Sequence, residues 1–459
     1  MRYELDVDAR SYDGGRVLVG GSPPKLMRLS AKGAATIDRL DDPPTDEATV
    51  GFIARLAAAG LVHPVPTAGV GARFRPADVT IVVPVRDRVA ELERCLRAIE
   101  QRSGWASVMV VDDGSLAAAA HRGVAERHGA ALVRAAAPAG PAAARNAGLA
   151  RVTTELVAFV DSDIEVSAGW LGPLLALLDA DGVVLIAPRV GAPPGPTSVV
   201  ARYEEVNSPL DLGPDRGVVA RGARIGYVPA ATMLARVDAL RAVDGFDLTL
   251  EVGEDVDLVW RLVQRGGCCR YEPSSTVVHH HRDALGAMLR RRVQYGSSAA
   301  LLDERHPGSV AALRTSPVDA GVIAAVGTGH PVIASAVLGA GWLRLARKLA
   351  NLREPHRVAA ALTARSVLAA SRQMSRAIVR PWWPVTLALA VARPRTRRTI
   401  AAAALVAPAI EYRRRRPHLD PVRWTSMWLV DEVAYSAGVW QGCIRSRRLG
   451  PLLPANGQN

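Results

Sequence analysis

From residue 77 onward the chain alternates short apolar, β-branched runs with amphipathic stretches, and this restricts the fold more than any other feature. Residues 79–83, 107–111, 131–134 and 156–160 read as strands, and 90–101, 116–129 and 142–150 as the helices between them. Strands separated by helices pair in parallel, in a sheet covered on both faces. Ligands of such sheets sit beyond the carboxyl ends of the strands. Here those ends are polar: Pro84-Val85-Arg86-Asp87, then Asp112-Asp113-Gly114-Ser115, then the segment from Gly140 through Arg145, then Asp161-Ser162-Asp163. Turn chemistry explains any one of them. It does not easily explain four in this order.

The fourth end is the most informative. Side chains at i and i+2 of a strand point to one face, so Asp161 and Asp163 face the same way. Two carboxylates about 4 Å apart repel by roughly 4 kcal/mol at an effective dielectric of 20. A hard divalent cation removes that penalty, and Mg2+-type ions take one or two carboxylates together with substrate phosphates. The pattern predicts a metal–diphosphate site at the tip of a buried strand.

Charge is unevenly placed. Of a formal net charge of +13, residues 343–459 carry 21 Lys/Arg against 5 Asp/Glu, or +16, which leaves −3 for the rest. The basic character therefore does not belong to the segment holding Asp161 and Asp163. Cys95, Cys268, Cys269 and Cys443 have no metal-ligand spacing, so neither a zinc site nor a disulfide framework is indicated. Residues 1–6 lack the apolar core of a signal peptide, so a reducing, cytoplasmic-side location is expected for the catalytic part.

Residues 1–70 form a smaller unit. Residues 16–21 read as strand and turn, 31–40 as a helix with Ser30 as N-cap, 46–59 as a second helix, and 60–62 as a stop and a short strand. A helix–helix–strand unit resembles a winged helix, but this one is acidic, which argues against DNA binding. Residues 63–71 read as a linker.

The polar strand ends resemble those of family 2 glycosyltransferases with the GT-A (Rossmann-like) fold, over residues 77–300. Gly245-Phe246-Asp247 and Gly253-Glu254-Asp255-Val256-Asp257 resemble the acceptor-side segment of that family. The resemblance implies that Pro84, Val85 and Asp87 frame the base-binding edge, that Asp112 with Asp113 holds the base, and that Arg145 contacts the nucleotide. It implies further that Asp161 orients the ribose and that Asp163 ligates Mg2+ or Mn2+ on the diphosphate. His279, first of His279-His280-His281, would complete the metal site. Asp255 would be the general base of a one-step inverting transfer, with Glu254 as its rival. Positioned carboxylates typically contribute 10²–10⁴-fold to such a step.

Residues 16–66 resemble a PqqD-type peptide-binding domain, and that domain ahead of a family 2 transferase resembles the mycofactocin system glycosyltransferases. The resemblance implies β-1,4-linked glucose transferred from UDP-glucose to a peptide-derived redox cofactor precursor. A lipid or cell-envelope polysaccharide acceptor is the alternative.

Residues 301–459 read as a basic helical region. Residues 320–343 carry no charge over 24 positions, long enough to cross a bilayer, but they are rich in Ala and include His330 and Pro331. Shorter apolar runs, 385–391 and 399–410, lie beside arginine clusters at 393–398 and 413–416, and six of the nine tryptophans fall beyond residue 340. Short apolar helices with Trp and Arg suit the surface of an anionic membrane, here at its cytoplasmic face. Nucleic acid is not an expected partner, because the aromatics sit with apolar runs.

Overall fold

The computed structural model describes residues 2–456 apart from 23, 45, 67–72, 105, 181, 196, 197 and 281–283. His281 and residues 67–71 of the expected linker lie outside the described residues. The chain divides into two units, Met1–Pro196 with Asn207–His281, and Thr197–Val206 with Arg282–Asn459. The expected boundary at residue 300 therefore falls inside the second unit, which also takes one helix from the middle of the chain.

The first unit begins with β1 (Arg2–Leu5), β2 (Arg10–Tyr12), β3 (Val17–Gly20) and β4 (Lys25–Arg28), followed by helices Ala31–Ile37 and Glu47–Ala58 and by β5 (Val62–Val65). β2, β3 and β4 form an antiparallel sheet, and β1 pairs with β5. Ser30 Oγ accepts the Gly33 N–H, and Asp46 caps the second helix through the Thr49 N–H. Both caps satisfy orphan helix donors. Leu18, Ile53, Leu56 and Leu61 fill the small core.

This lobe belongs to the same unit as the transferase-like sheet because buried charges join them. Asp6 Oδ2 accepts from His63 Nε2 at 2.8 Å and from Arg224 Nη2 at 2.8 Å. Arg270 Nη2 lies 3.1 Å from His63 Nδ1, which therefore acts as the acceptor. Burial holds the His63 pKa below its usual value, against the opposing pull of Asp6. With Nδ1 accepting from Arg270, the ring donates to Asp6 through Nε2.

The large sheet contains β6 (Val79–Val85), β7 (Ser107–Asp112), β8 (Ala131–Arg134), β9 (Leu156–Val160), β10 (Ile164–Val166), β11 (Val183–Gly191), β12 (Gly217–Val219), β13 (Thr232–Arg236) and β14 (Cys268–His279). Its order is β10-β14-β11-β13-β9-β6-β7-β8, with β12 on β14. β9, β6, β7 and β8 are parallel, as the alternation predicts, and β13 and β10 run antiparallel to their neighbours. Every residue of β6 and β9 is buried, which explains why these strands are continuous apolar runs.

Register opens the site. β6 pairs with β9 only from Val79 to Val82, but with β7 as far as Val85. The last three residues of β6 thus leave the β9 ladder, and the sheet splits between the two carboxyl ends. Pro84 lies past that ladder, where its missing N–H costs no bond to β9.

The second unit is mostly helical. Helix Leu285–Ser297 packs along Pro421–Ser446, and Trp424, Trp428 and Tyr203 are buried in its core. A Cβ on Gly438 would strike the Val293 carbonyl, so the two helices touch backbone to backbone there. The uncharged run of residues 320–343 is not one helix. It is divided between Pro317–Gly327 and Pro331–Lys348, with Gly329 at φ +78° between them and Pro331 opening the second. No helix among the described residues is long and apolar enough to cross a membrane.

Candidate functional site

The first two strand ends brace one another. Asp87, at φ +53°, donates its N–H to Ser115 Oγ at 2.9 Å, and its Oδ1 accepts the Leu116 N–H at 2.7 Å. Pro84 and Val85 lie opposite Val111 and Asp112 across the β6–β7 ladder. Asp112 is fully buried, with Oδ1 on the Ser115 N–H at 2.8 Å and Oδ2 paired with Arg134. Burial pushes its pKa up, but the bonds from Ser115 and the Arg134 charge outweigh this and hold it below the usual value. Asp112 is therefore an ionised acceptor at the floor of this edge. Arg134, its partner, sits at the end of β8, and nothing in the local sequence marks it.

Asp113 has a different use. Its Oδ1 accepts the Ala139 N–H at 2.7 Å and its Oδ2 the Gly140 N–H at 2.9 Å. Both oxygens are thus spent on the loop that enters helix Pro141–Leu149. Both oxygens of Asp112 are engaged as well, by Ser115 and Arg134, so the two aspartates stand alike as candidates for the base.

Arg145 joins two acidic groups. Its side chain is only 4% exposed; Nη2 donates to Asp161 Oδ1 at 2.7 Å and Nη1 to Glu254 Oε1 at 2.9 Å. The guanidinium lies 5.4 Å from the centre of the Phe246 ring. It holds the strand-tip aspartate to the acidic motif 93 residues later in the chain, a contact invisible to local pattern reading. Asn146, on the same helix, grips Phe246 through both backbone groups, at 2.8 and 2.9 Å, and so anchors Gly245-Phe246-Asp247.

Asp161 keeps 32% of its side chain exposed. Asp163 meets two other groups. β10 pairs with the end of β14, Ile164 opposite His279, and this ladder sets His279 beside the strand-tip aspartates. His279 Nε2 lies 3.5 Å from Asp163 Oδ2, which is also paired with Arg88, reaching across from the end of β6. A carboxylate and an imidazole on one spot are a donor set that Mn2+-type ions accept, and diphosphate oxygens would supply the remaining positions. The Arg88 guanidinium is a stand-in positive charge on the same oxygen. The residues fit a divalent cation. No cluster of three or more metal-binding side chains occurs among the described residues. His280 turns away and bonds Glu165 at 2.7 Å.

The acidic motif opens helix Glu254–Gln264 after Gly253, at φ +85°. Asp255 Oδ2 accepts the Ala230 N–H at 3.1 Å, while the neighbouring Ala231 carbonyl accepts the Asp161 N–H at 2.9 Å. Consecutive residues of the segment entering β13 thus tie Asp255 and Asp161 into one site. Burial, and then the Asp255 charge, push the Glu254 carboxyl up to about 7. Burial likewise raises Asp255 above the ordinary carboxylate range. Asp255 is half-buried, and its raised pKa makes its carboxylate a stronger base than an ordinary aspartate. Glu254 is held by Arg145 and serves that guanidinium.

Parallel strands, polar carboxyl ends, a split between β6 and β9, and paired acidic motifs define a group-transferring enzyme of glycosyltransferase type. The family described as Glycosyl transferase family 2 matches residues 80–243. A pre-mycofactocin glycosyltransferase of Mycobacterium tuberculosis (strain ATCC 25618 / H37Rv) is 37% identical over 464 aligned residues, covering 98% of this chain and 97% of the relative. The chain belongs to the pre-mycofactocin glycosyltransferase family, within family 2 glycosyltransferases, and is an enzyme of GT-A-like α/β fold. Among solved structures it is similar to a mannosyltransferase from Pyrobaculum calidifontis in complex with GDP-Man and Mn2+. That match has 19% identity and a TM-score of 0.40, and covers 67% of this chain and 89% of that one.

Proposed function

We propose that this glycosyltransferase moves glucose from UDP-glucose to a pre-mycofactocin-type acceptor by single-step inversion. The observation that carries the reading is the buried bridge Asp161–Arg145–Glu254, which binds the donor-side strand tip to the acceptor-side acidic motif. Asp112, at the floor of the β6–β7 edge, receives the base, and Asp161 orients the ribose. Asp163 and His279 would hold Mn2+ or Mg2+, and the imidazole favours Mn2+. When bound, the cation offsets the charge that builds on the departing diphosphate.

Asp255 takes the proton of the acceptor hydroxyl as that oxygen bonds to the anomeric carbon, and the bond from that carbon to the UDP oxygen breaks on the opposite face. UDP leaves with the electron pair, and the proton rests on Asp255. The near-full-length match to a relative named for pre-mycofactocin supports the acceptor class. The N-terminal lobe, with its small antiparallel sheet and two helices, is proposed as a PqqD-like domain that presents the acceptor. A β-1,4-linked product, made at the cytoplasmic face, completes the reading.

The test is to incubate the protein with UDP-glucose, Mn2+ and either pre-mycofactocin or a lipid-linked or polysaccharide acceptor, and to weigh the products. Addition of hexose masses to pre-mycofactocin alone is the expected result. Transfer only to the envelope acceptors overturns the acceptor assignment and supports the alternative substrate.

A further inference from the structure

The helix Trp383–Ala392 reads Trp-Pro-Val-Thr-Leu-Ala-Leu-Ala-Val-Ala, with one hydroxyl and no charge, and none of its residues is buried. Val385 is 60% exposed, Leu387 56% and Val391 66%, and Leu405 and Val406 on the following helix Arg397–Arg415 are exposed as well. The helix rests on Pro355–Val379 and Arg397–Arg415, yet its outward apolar side chains stay in contact with solvent.

The turn after it and the start of the next helix carry Arg393, Arg395, Arg397 and Arg398, all exposed. None of the four forms an ion pair among the described residues. Other arginines of this unit are neutralised internally: Glu411 pairs with Arg372 and Arg415, at 2.8 and 2.9 Å, and Glu432 pairs with Arg376 and Arg380. Glu411 and Glu432 are thus spent inside, Glu304, Glu354 and Asp420 pair with other arginines at the surface, and the cationic turn remains beside the apolar helix. Arg397 Nε donates to the Ala390 carbonyl at 2.8 Å and folds the turn against the helix end.

We propose that the helix Trp383–Ala392 and the arginine turn 393–398 form an in-plane anchor for a bilayer surface carrying anionic headgroups. Ten helical residues reach about 15 Å, half the roughly 30 Å of a hydrocarbon core, so the helix lies along the interface. Its apolar side chains enter the headgroup boundary and the arginines meet lipid phosphates. Charge complementarity selects this occupant, because a second copy of the chain would set two cationic turns against each other.

The test is co-sedimentation of the full chain with phosphatidylglycerol-rich vesicles and with pure phosphatidylcholine vesicles. Binding to the first and far weaker binding to the second is expected, and raising the salt should reduce it. Each juxtamembrane arginine typically contributes about fivefold, so Arg395→Glu with Arg398→Glu should weaken partitioning by at least about tenfold. Leu387→Glu with Val391→Glu should abolish it while circular dichroism stays unchanged. Vesicle binding equal in the wild type and the Leu387→Glu/Val391→Glu variant overturns the proposal, as does no binding to either vesicle. A dimer dissolved by Leu387→Glu, seen by light scattering, would assign the ridge to a second copy and overturn it too.

Discussion

Replacing Arg145 by Met removes the one cation shared by Asp161 and Glu254. The guanidinium is 4% exposed, and its two carboxylate partners are 32% and 11% exposed. Deleting one partner of a buried ion pair costs about 3–5 kcal/mol, because the surviving charge is left uncompensated. Asp161 can recover some hydration through its exposed third, so the lower end, about 3 kcal/mol, applies. At roughly 2–4 °C per kcal/mol for a domain of 150–250 residues, Tm falls by about 6–12 °C.

The sign of the pH dependence follows from Glu254, whose carboxyl is already pushed from 4.5 to about 7 in the folded protein. Losing the guanidinium raises it further. A carboxyl with a raised folded pKa loses stability as pH climbs through that pKa, so the deficit of the variant is greater near about pH 8 than near about pH 6. Arg145→Met combined with Glu254→Gln removes one stranded charge and should recover at least about 1 kcal/mol. Thermal and urea unfolding at both pH values measure all three quantities. A single variant melting within about 2 °C of wild type at both pH values would refute the bridge, as would a double variant less stable than the single one.

Three further outcomes follow from the same geometry. Asp255→Asn should lower transfer by about 10²–10⁴-fold while leaving UDP binding by calorimetry unchanged; lost UDP binding would instead give Asp255 a donor-side role. The acidic limb of kcat/KM against pH reports Asp255 in the free enzyme, and Arg145→Met, by removing a positive charge that lowers the Asp255 pKa, should move that limb to higher pH; an unmoved limb separates the two groups electrostatically. Gly438→Ala should destabilise the second unit by about 1–3 kcal/mol, since the backbone of Val293 cannot yield as a side chain could. A variant as stable as wild type would show that the helices can part.

The parallel half of the sheet was legible because each of its strands is a short buried apolar run closed by turn residues, and that signal is local. The position of Asp161 and Asp163 at a strand tip follows from the same logic. His279 was found only through a resemblance, because what brings it to Asp163 is the antiparallel pairing of β10 with β14, more than a hundred residues apart in sequence. The partners of Arg145 escape local reading for a related reason. Its number of neighbours depends on the Gly253–Asp255 turn arriving from across the fold, and a local pattern cannot tell an arginine facing ligand from one facing two carboxylates. Arg88 and Arg134 carried no local signal at all. In the tail, 24 uncharged residues suggested a membrane span by count. The left-handed Gly329 followed by Pro331 ends one helix and begins another, and such backbone punctuation outweighs hydropathy.

The central claim is that Asp163, with His279, is where the donor's diphosphate meets a divalent cation. Calorimetric titration of UDP into the protein with and without Mn2+ tests it without requiring turnover. Tighter UDP binding with Mn2+ is predicted for the wild type, and Asp163→Asn should remove that gain while its metal-free UDP affinity stays unchanged. An Asp163→Asn variant that keeps the full Mn2+ enhancement would contradict the assignment.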